Sequence, residues 1–524
     1  MSTLRPTSAA TTESAPNAGS SGHSSKGLAR GQIGLIGATV IGVSCIAPAY
    51  TLTSGLGPTI STVGTQVPAI LLLGFIPMLL VAFGYRELNN RVPDSGTSFT
   101  WSSKAFNPWI GWMGGWGLIS ATVIVLSNLA AVAVDFFYIL LSQIFSNPNI
   151  ATWTDNLWIN IPTTLIFTAI AAWVAYRGLD TTQKVQYFLV TFQVLVLVGF
   201  AIAALVQANN GSGFDPTPVR LDWFNPLEIG DFSIFAAGIS LSIFMFWGWD
   251  AVLTMNEETK NPEKTPGRGA TLTILIIITL YILVTVGVVA WAGIGDTGLG
   301  AGNPANQESI FAALSGPVLG PIAIFMSIAI LASSFASLQT TMISPSRTIL
   351  AMGYYKALPP QFSNISPKYR TPSVATLASA IGTGAFYTVT RLISENALWD
   401  TITALGLMIC FYYGVTAMAC VWFFRKELTG SVRNFLFRGL FPLIGGIVLL
   451  VMFFQTAIDS IDPSYGSGTS IGGVGMVFVL GMGVLLLGVV LMIWTRIAHP
   501  EFFTGKTLPK TTSITDDTTT IPTV

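Results

Sequence analysis

Between residues 32 and 495 the chain holds twelve apolar stretches, each long enough to cross about 30 Å of hydrocarbon as a helix. They lie at roughly 32–57, 66–88, 107–142, 157–176, 185–207, 232–256, 270–293, 317–355, 373–391, 397–424, 436–457 and 471–495. The third and eighth exceed what one crossing needs, so they should tilt or run on beyond the bilayer. Lysine and arginine divide unevenly among the gaps. With the N-terminus inside, 22 of the 24 fall in inner segments, and only Arg220 and Arg391 fall outside. This positive-inside bias supports the span count as well as the orientation, because one missed or invented crossing would destroy it. The chain therefore reads as all-α, a polytopic protein of the cell membrane with both termini cytoplasmic.

Only 9% of the 524 residues are charged, where a soluble domain has about a quarter. A soluble enzyme and a nucleic-acid binder are excluded on that ground, and the bilayer is the partner that composition implies. Lys+Arg and Asp+Glu are equal at 24, so net charge points to no other partner. Cys45, Cys410 and Cys420 sit in apolar runs without metal-ligand spacing. His23 and His499 lie outside the apolar runs, which removes intramembrane histidine chemistry. No nucleotide-binding loop is present, so ATP-driven pumping is not expected. Gly293-Ile294-Gly295-Asp296 matches an intramembrane aspartyl protease signature only superficially, since Asp296 falls at the outer end of a span without a second aspartate at its depth. No cofactor is expected, and the sequence specifies no oligomeric state.

Two spans carry interruptions. In the first, Gly42-Val43-Ser44-Cys45-Ile46-Ala47-Pro48 places a proline that lacks an N–H, so carbonyls near Ser44 lose their partners. In the sixth, Phe244-Met245-Phe246-Trp247-Gly248-Trp249-Asp250 sets a glycine and an acid among aromatics. Unpaired backbone in lipid is tolerated only where it lines a cavity or is buried in protein. Proline and glycine also make simple kinks. Their placement in the first and sixth spans, however, divides the chain into two five-span repeats of opposite orientation, the pattern of a transporter with a midplane site. The implied organisation is an N-terminal tail at 1–30, repeats at 31–210 and 211–430, two accessory spans at 431–500 and a C-terminal tail at 501–524. The first tail is rich in Ser, Thr, Ala and Gly and the second in Thr, and both read as disordered.

Trp247-Gly248-Trp249-Asp250 followed by Asn256-Glu257-Glu258-Thr259-Lys260-Asn261-Pro262 resembles the sixth-span signature of the amino acid–polyamine–organocation (APC) superfamily of permeases. Glu87-Leu88 through Asp94-Ser95-Gly96-Thr97 and Trp101, Asn107-Pro108-Trp109 with Gly115-Trp116, and Ser346-Arg347 with Leu358-Pro359 are similar to three further segments of that family. The resemblance implies a leucine-transporter (LeuT) type fold of five plus five inverted helices with two added. It implies alternating access, a small-molecule substrate held between unwound spans 1 and 6, and often proton coupling. On that basis Ser44, Cys45, Ile46, Ala47, Phe244, Met245, Phe246, Trp247 and Gly248 are the expected substrate-binding residues. The family's small residues in span 1 are here Ile46-Ala47-Pro48, which removes one donor for a substrate carboxylate. A lysine that some proton-coupled members carry in span 5 aligns with Gln193, which cannot titrate.

Asp250 is the acid inside span 6. It can carry a coupling proton, hold a substrate amine, or cap freed N–H groups. Ser333, Ser334 and Ser337 resemble the sodium site of the leucine-transporter fold, with Ser333 and Ser334 as first candidates, or they simply bond back to their own helix. Protons are thus the expected coupling ion, with sodium as the alternative. The Glu257–Lys264 run is expected to pair with bases of the first inner loop and close an inner gate, or to be a solvated loop. The favoured function is secondary import of an amino acid or small organic amine. The alternatives are a potassium-type cation transporter or channel on the same fold, a polyamine/amino-acid exchanger, and, weakest, a membrane-embedded enzyme.

Overall fold

The computed structural model describes residues 26–178, 180–393 and 397–509. The outer parts of both expected tails, 1–25 and 510–524, lie outside the described residues. In chain order the helices are α1 (Leu35–Ile46), α2 (Pro48–Val63), α3 (Val67–Arg91), α4 (Ser98–Ala105), α5 (Pro108–Ile144), α6 (Leu157–Arg177), α7 (Asp180–Asn209), α8 (Phe232–Met245), α9 (Ala251–Thr254) and α10 (Thr265–Ala292). They continue with α11 (Ile310–Leu319), α12 (Ile324–Thr341), α13 (Ile343–Tyr354), α14 (Ser373–Ile393), α15 (Ala397–Phe423), α16 (Val432–Asn434), α17 (Phe441–Asp459), α18 (Met476–Ala498) and α19 (Pro500–Phe503). Among the described residues nine helical runs are long and apolar enough to cross a membrane, the first being the run Leu35–Arg91 that contains α1, α2 and α3.

Helix ends follow local chemistry. Pro108 opens α5 at a position where its missing N–H costs nothing, and the Asn107 side chain accepts from Ile110 N–H. Asp231 caps α8 by accepting from Ser233 and Ile234 N–H. Gly64, at φ 62°, ends α2 and turns the chain into α3.

Three expectations need correction. The long eighth stretch at 317–355 is not one helix but takes in the end of α11 and the run of α12 and α13. Gly320, at φ 58°, and Pro321 stop α11, and the crossing begins only at Ile324. The start of the twelfth stretch is not helical. Ser470–Ile471 and Val474–Gly475 pair as a two-stranded hairpin across Gly472 and Gly473, both at positive φ, so the fold is all-α apart from this turn. The tails are also shorter than composition suggests. Lys26 and Leu28 are buried within the expected 1–30 tail, and Phe502, Phe503 and Leu508 within the expected 501–524 tail. Their ordering comes from ion pairing and aromatic packing, which composition does not encode.

Helix α5 packs against α4, α12 and α15, while α10 packs against α1, α3 and α7. Helix α2 lies against α8 and α12. The two interrupted segments are thereby enclosed by α3, α7, α10, α12 and α15. Helices α6, α7, α14, α17 and α18 turn apolar side chains outward, among them Ile166, Leu195, Ile381, Val451, Leu486 and Val490. An apolar surface of that extent needs a nonaqueous contact, which lipid supplies.

Candidate functional site

The first break is a single residue. Proline disfavours the right-handed helical conformation in the residue before it. Ala47 leaves that conformation for the left-handed region, φ 55° and ψ 66°, rather than for the extended one usual before proline, and Pro48 starts α2. Such a conformation costs a non-glycine residue about 1–2 kcal/mol. Ala47 N–H donates to the Val43 carbonyl at 3.0 Å, closing α1. The Ile46 carbonyl accepts from the Thr51 hydroxyl at 2.5 Å. The Cys45 carbonyl accepts from the Ser337 hydroxyl on α12 at 3.0 Å.

The second break is longer. Between α8 and α9, residues 246–250 form consecutive turns, with Gly248 at φ 111°. A Cβ on Gly248 would stand 3.0 Å from the Cys45 carbonyl oxygen and 3.2 Å from Ile46 N. The two breaks therefore abut, backbone to backbone, and a missing side chain permits it. All nine expected binding residues, 44–47 and 244–248, are buried around this contact.

The aromatics of the second break divide by direction. Phe246 packs on Phe75 of α3 and Tyr281 of α10, with ring centroids 5.9 and 5.5 Å away. Trp249 packs edge-on to Tyr85 at 5.0 Å and against Tyr413 at 5.0 Å. Trp247 Nε1 donates to the Tyr412 hydroxyl at 2.6 Å. Tyr412 in turn donates to Asp250 Oδ2 at 3.1 Å, and Tyr413 donates to Oδ1 at 2.7 Å. Asp250 is 3% exposed, and among the described residues no lysine or arginine pairs with it. Its side-chain hydrogen-bond partners among the described residues are the two tyrosine hydroxyls. The tyrosine pair on α15 was not legible in the sequence, where Tyr412-Tyr413 reads as one more apolar-run doublet.

The serines of α12 separate by helical phase. Ser337 reaches the first break, and Ser333 Oγ lies 3.5 Å from Tyr50 N–H, a long contact. Ser334 points elsewhere and donates to its own helix at the Ile330 carbonyl, 2.8 Å away. The expected pairing of Ser333 with Ser334 is thereby corrected to Ser333 with Ser337, because residues four apart share a helix face and adjacent ones do not. Truncating Ser337 to alanine leaves the Cys45 carbonyl without its donor. Ser337→Ala should lower unfolding stability by about 1–3 kcal/mol in detergent melts, and Ser334→Ala by less than half of that.

Gln193 is buried on α7, and neither of its amide atoms has a hydrogen-bond partner. It is Gln186, two turns earlier, that reaches the break. Ser44 donates to Gln186 Oε1 at 2.7 Å, and Gln186 Nε2 donates to the Ala336 carbonyl at 3.3 Å. The joint of α1, α7 and α12 is therefore held by neutral hydrogen bonds. Unpartnered buried polar atoms at Tyr50, Thr53, Ser54 and Trp249 lie on the two interrupted spans.

Toward the side that carries the chain ends, acids and bases interlock. Arg347 of α13 donates through Nε and Nη2 to both oxygens of Glu258 at 3.0 Å, with both side chains at most 2% exposed. Glu257 pairs with Lys26 at 2.5 Å, and Lys26 also pairs with Asp94 at 2.7 Å. The 257–264 run is thus tied to Lys26 and Arg347 rather than to bases of the first loop as expected, since sequence distance does not select a partner. Burial alone would push the Asp94 carboxyl up, but Lys26, Thr100 and Tyr355 outweigh it and hold it down at about 2. For Lys26 burial acts downward, and Asp94, Tyr355 and Glu257 reverse it, raising the ammonium above its ordinary range. A depressed acid stabilises above the ordinary carboxylate range and loses that contribution as pH falls toward 2. A raised lysine stabilises below its ordinary range and loses it above. The stability difference between wild type and Lys26→Met should therefore stay flat from about pH 5 to about pH 9, as melts across that range will register.

Comparison with known proteins agrees with this arrangement. Residues 33–485 match the family described as amino acid permease. The branched-chain amino acid permease BcaP of Lactococcus lactis subsp. cremoris is 26% identical over 441 residues, covering 80% of this chain and 87% of its own length. The low-affinity putrescine importer PlaP of Escherichia coli K12 is 24% identical over 430 residues, covering 79% and 86%. Among solved structures, MhsT in complex with L-phenylalanine superposes with a TM-score of 0.55 at 17% identity, over 79% of this chain and 98% of that one. That likeness is one of fold. With a family match that spans most of its length, this chain is a member of the amino acid permease family of the APC superfamily.

Proposed function

We propose that the protein is a secondary active transporter that imports an amino acid or a related small organic amine across the cell membrane by alternating access. The observation that carries this reading is the contact between two interrupted helices, with Gly248 seated on the Cys45 carbonyl. Relatives named for branched-chain amino acids and for putrescine support the solute class. The proposed topology has twelve crossings in a five-plus-five inverted repeat with two added, and both termini in the cytoplasm. It counts α1–α2 and α3 as two crossings within the first of the nine apolar runs, one crossing for each of the other eight, and α8–α9 and α14 as two more. The positive-inside bias supports the orientation.

The aromatic lining suits apolar side chains and ammonium groups. Asp250, without a basic partner, is the proposed proton carrier. The neutral oxygens of Ser333, Ser337 and Cys45 are the alternative, a sodium position, although a hard cation wants five or six such ligands.

Uptake of labelled amino acids and amines into proteoliposomes, under separately imposed proton and sodium gradients, tests both levels. Asp250→Asn keeps an acceptor for one tyrosine and cannot ionise. It should abolish proton-driven accumulation while leaving solute exchange intact. Wild-type accumulation by the mutant at every pH removes Asp250 from that role, and failure of every amino acid and amine to enter overturns the transporter reading.

A further inference from the structure

The residues just beyond the last membrane helix are packed into the machinery that closes the inner side. Phe502 packs tilted against Phe99 of α4 with ring centroids 5.2 Å apart, and Phe503 against Trp109 of α5 at 4.8 Å. Leu508 is buried in the same cluster, together with Met352 and Ala357. The Thr507 hydroxyl donates to the Tyr355 carbonyl at 2.6 Å. Tyr355 sits at the end of α13, and its own hydroxyl donates to Asp94 Oδ2 at 2.7 Å. That oxygen is the one Lys26 holds. The Tyr354 and Tyr355 rings flank the Lys26 ammonium at 5.8 and 5.5 Å.

Lys26 in turn is joined along the chain to the inner end of the first interrupted span, which begins at Leu35. Seven residues later Ile33 bridges to Thr259, Gln32 N–H donates to the Glu258 carbonyl at 2.8 Å, and Lys260 N–H donates to the Ile33 carbonyl at 2.9 Å. The run leading into α1 is therefore stitched to the loop that follows α9. Separating α1 from that loop to release a solute inward requires Lys26 to leave Glu257, and separating it from the α3–α4 loop requires it to leave Asp94. A continuous path then runs from the C-terminal segment through Tyr355 and Asp94 to Lys26 and Glu257.

We propose that residues 500–508 are a working part of the inner gate: by clamping Tyr355 they hold the seat into which Lys26 locks, so that release of this segment favours the inward-open state. The lock joins the two ends of the chain across the bundle, and either end can undo it. The exposed Lys356–Glu501 pair at 2.6 Å belongs to the same segment but lies in solvent, where such a contact contributes little. This inference rests on the transporter reading for its meaning, though not for its test.

The test uses full-length protein in proteoliposomes, with Cys410 and Cys420 replaced by alanine and buried Cys45 as the reporter. An impermeant maleimide is applied from the cytoplasmic face. Ending the chain after His499 should raise the Cys45 labelling rate about tenfold, the response to a shift of one decade in the gate equilibrium. Thr507→Val, which keeps shape and removes the donor to Tyr355, should raise it in the same direction if the truncated chain fails to fold. Lys26→Met should match the truncation, and the two together should give no further increase, because they undo one lock. Lys356→Ala should leave the rate unchanged. Wild-type labelling in both the truncation and Thr507→Val overturns the proposal, and so do additive effects with Lys26→Met. Solute uptake is measured in parallel, so an unresponsive gate in a competent transporter and a responsive gate in a chain that moves no solute are distinct results.

Discussion

Gly248→Val should reduce solute uptake roughly 10–100-fold while the protein remains folded and monodisperse in detergent. Two effects act together. The backbone at φ 111° is open to glycine and costs an L-residue of order 1–3 kcal/mol. The added Cβ would also meet the Cys45 carbonyl oxygen at 3.0 Å and its carbon at 3.1 Å, both backbone atoms with little freedom to yield. The first and second breaks must then move apart, and the geometry they offer a solute is lost. Gly199→Val on α7 is the matched control, since nothing lies within 4 Å of a Cβ there. Equal uptake by Gly248→Val and Gly199→Val would remove the break contact from the transport cycle.

The largest stability effect is expected at Arg347. Its guanidinium and the Glu258 carboxylate form a bidentate pair in full burial. Arg347→Met leaves Glu258 charged and without its partner, a loss of about 3–5 kcal/mol. A detergent melt should show this as a markedly lower unfolding temperature. The double variant Arg347→Met with Glu258→Gln should recover most of the loss, because neither group then remains as an isolated buried charge. A double variant as unstable as the single one would show that Arg347 acts through packing alone. The same pair ties α13 to the loop after α9, so the single variant should also raise inward accessibility.

The legible part of this protein is the part that lipid imposes. Apolar length selects helices, and a proline or glycine within such a run interrupts one. Ala47 and Gly248 were both within the interruptions that Pro48 and the Trp247–Asp250 run announce, and both carry the left-handed or open backbone that such positions require. The stop at Gly320, ahead of the crossing that begins at Ile324, and the hairpin at Gly472-Gly473 were hidden because an apolar run continues through them. Hydropathy registers solvent and is blind to backbone turns made by glycine.

The site was legible only as segments. Asp250 and Ser337 were singled out by residue type, whereas Tyr412, Tyr413 and Gln186 were not, since a tyrosine or glutamine in a span carries no signal of its own. Their importance comes from partners more than a hundred residues away: Tyr413 to Asp250 at 2.7 Å and Gln186 to Ser44 at 2.7 Å. The inner ion pairs tell the same story. The acid run after the sixth stretch was visible, but Lys26 stood in what reads as a featureless tail.

From amino-acid order came the membrane class, the helical architecture, the two interruptions and the permease family, because each depends on residue type and spacing along the chain. Partner choice came from tertiary structure alone: which serine turns to the Cys45 carbonyl, which base enters between Asp94 and Glu257, and which tyrosines bind Asp250. Hydropathy is a sum over a local window, while hydrogen bonds and ion pairs depend on tenths of an ångström between helices that packing brings together.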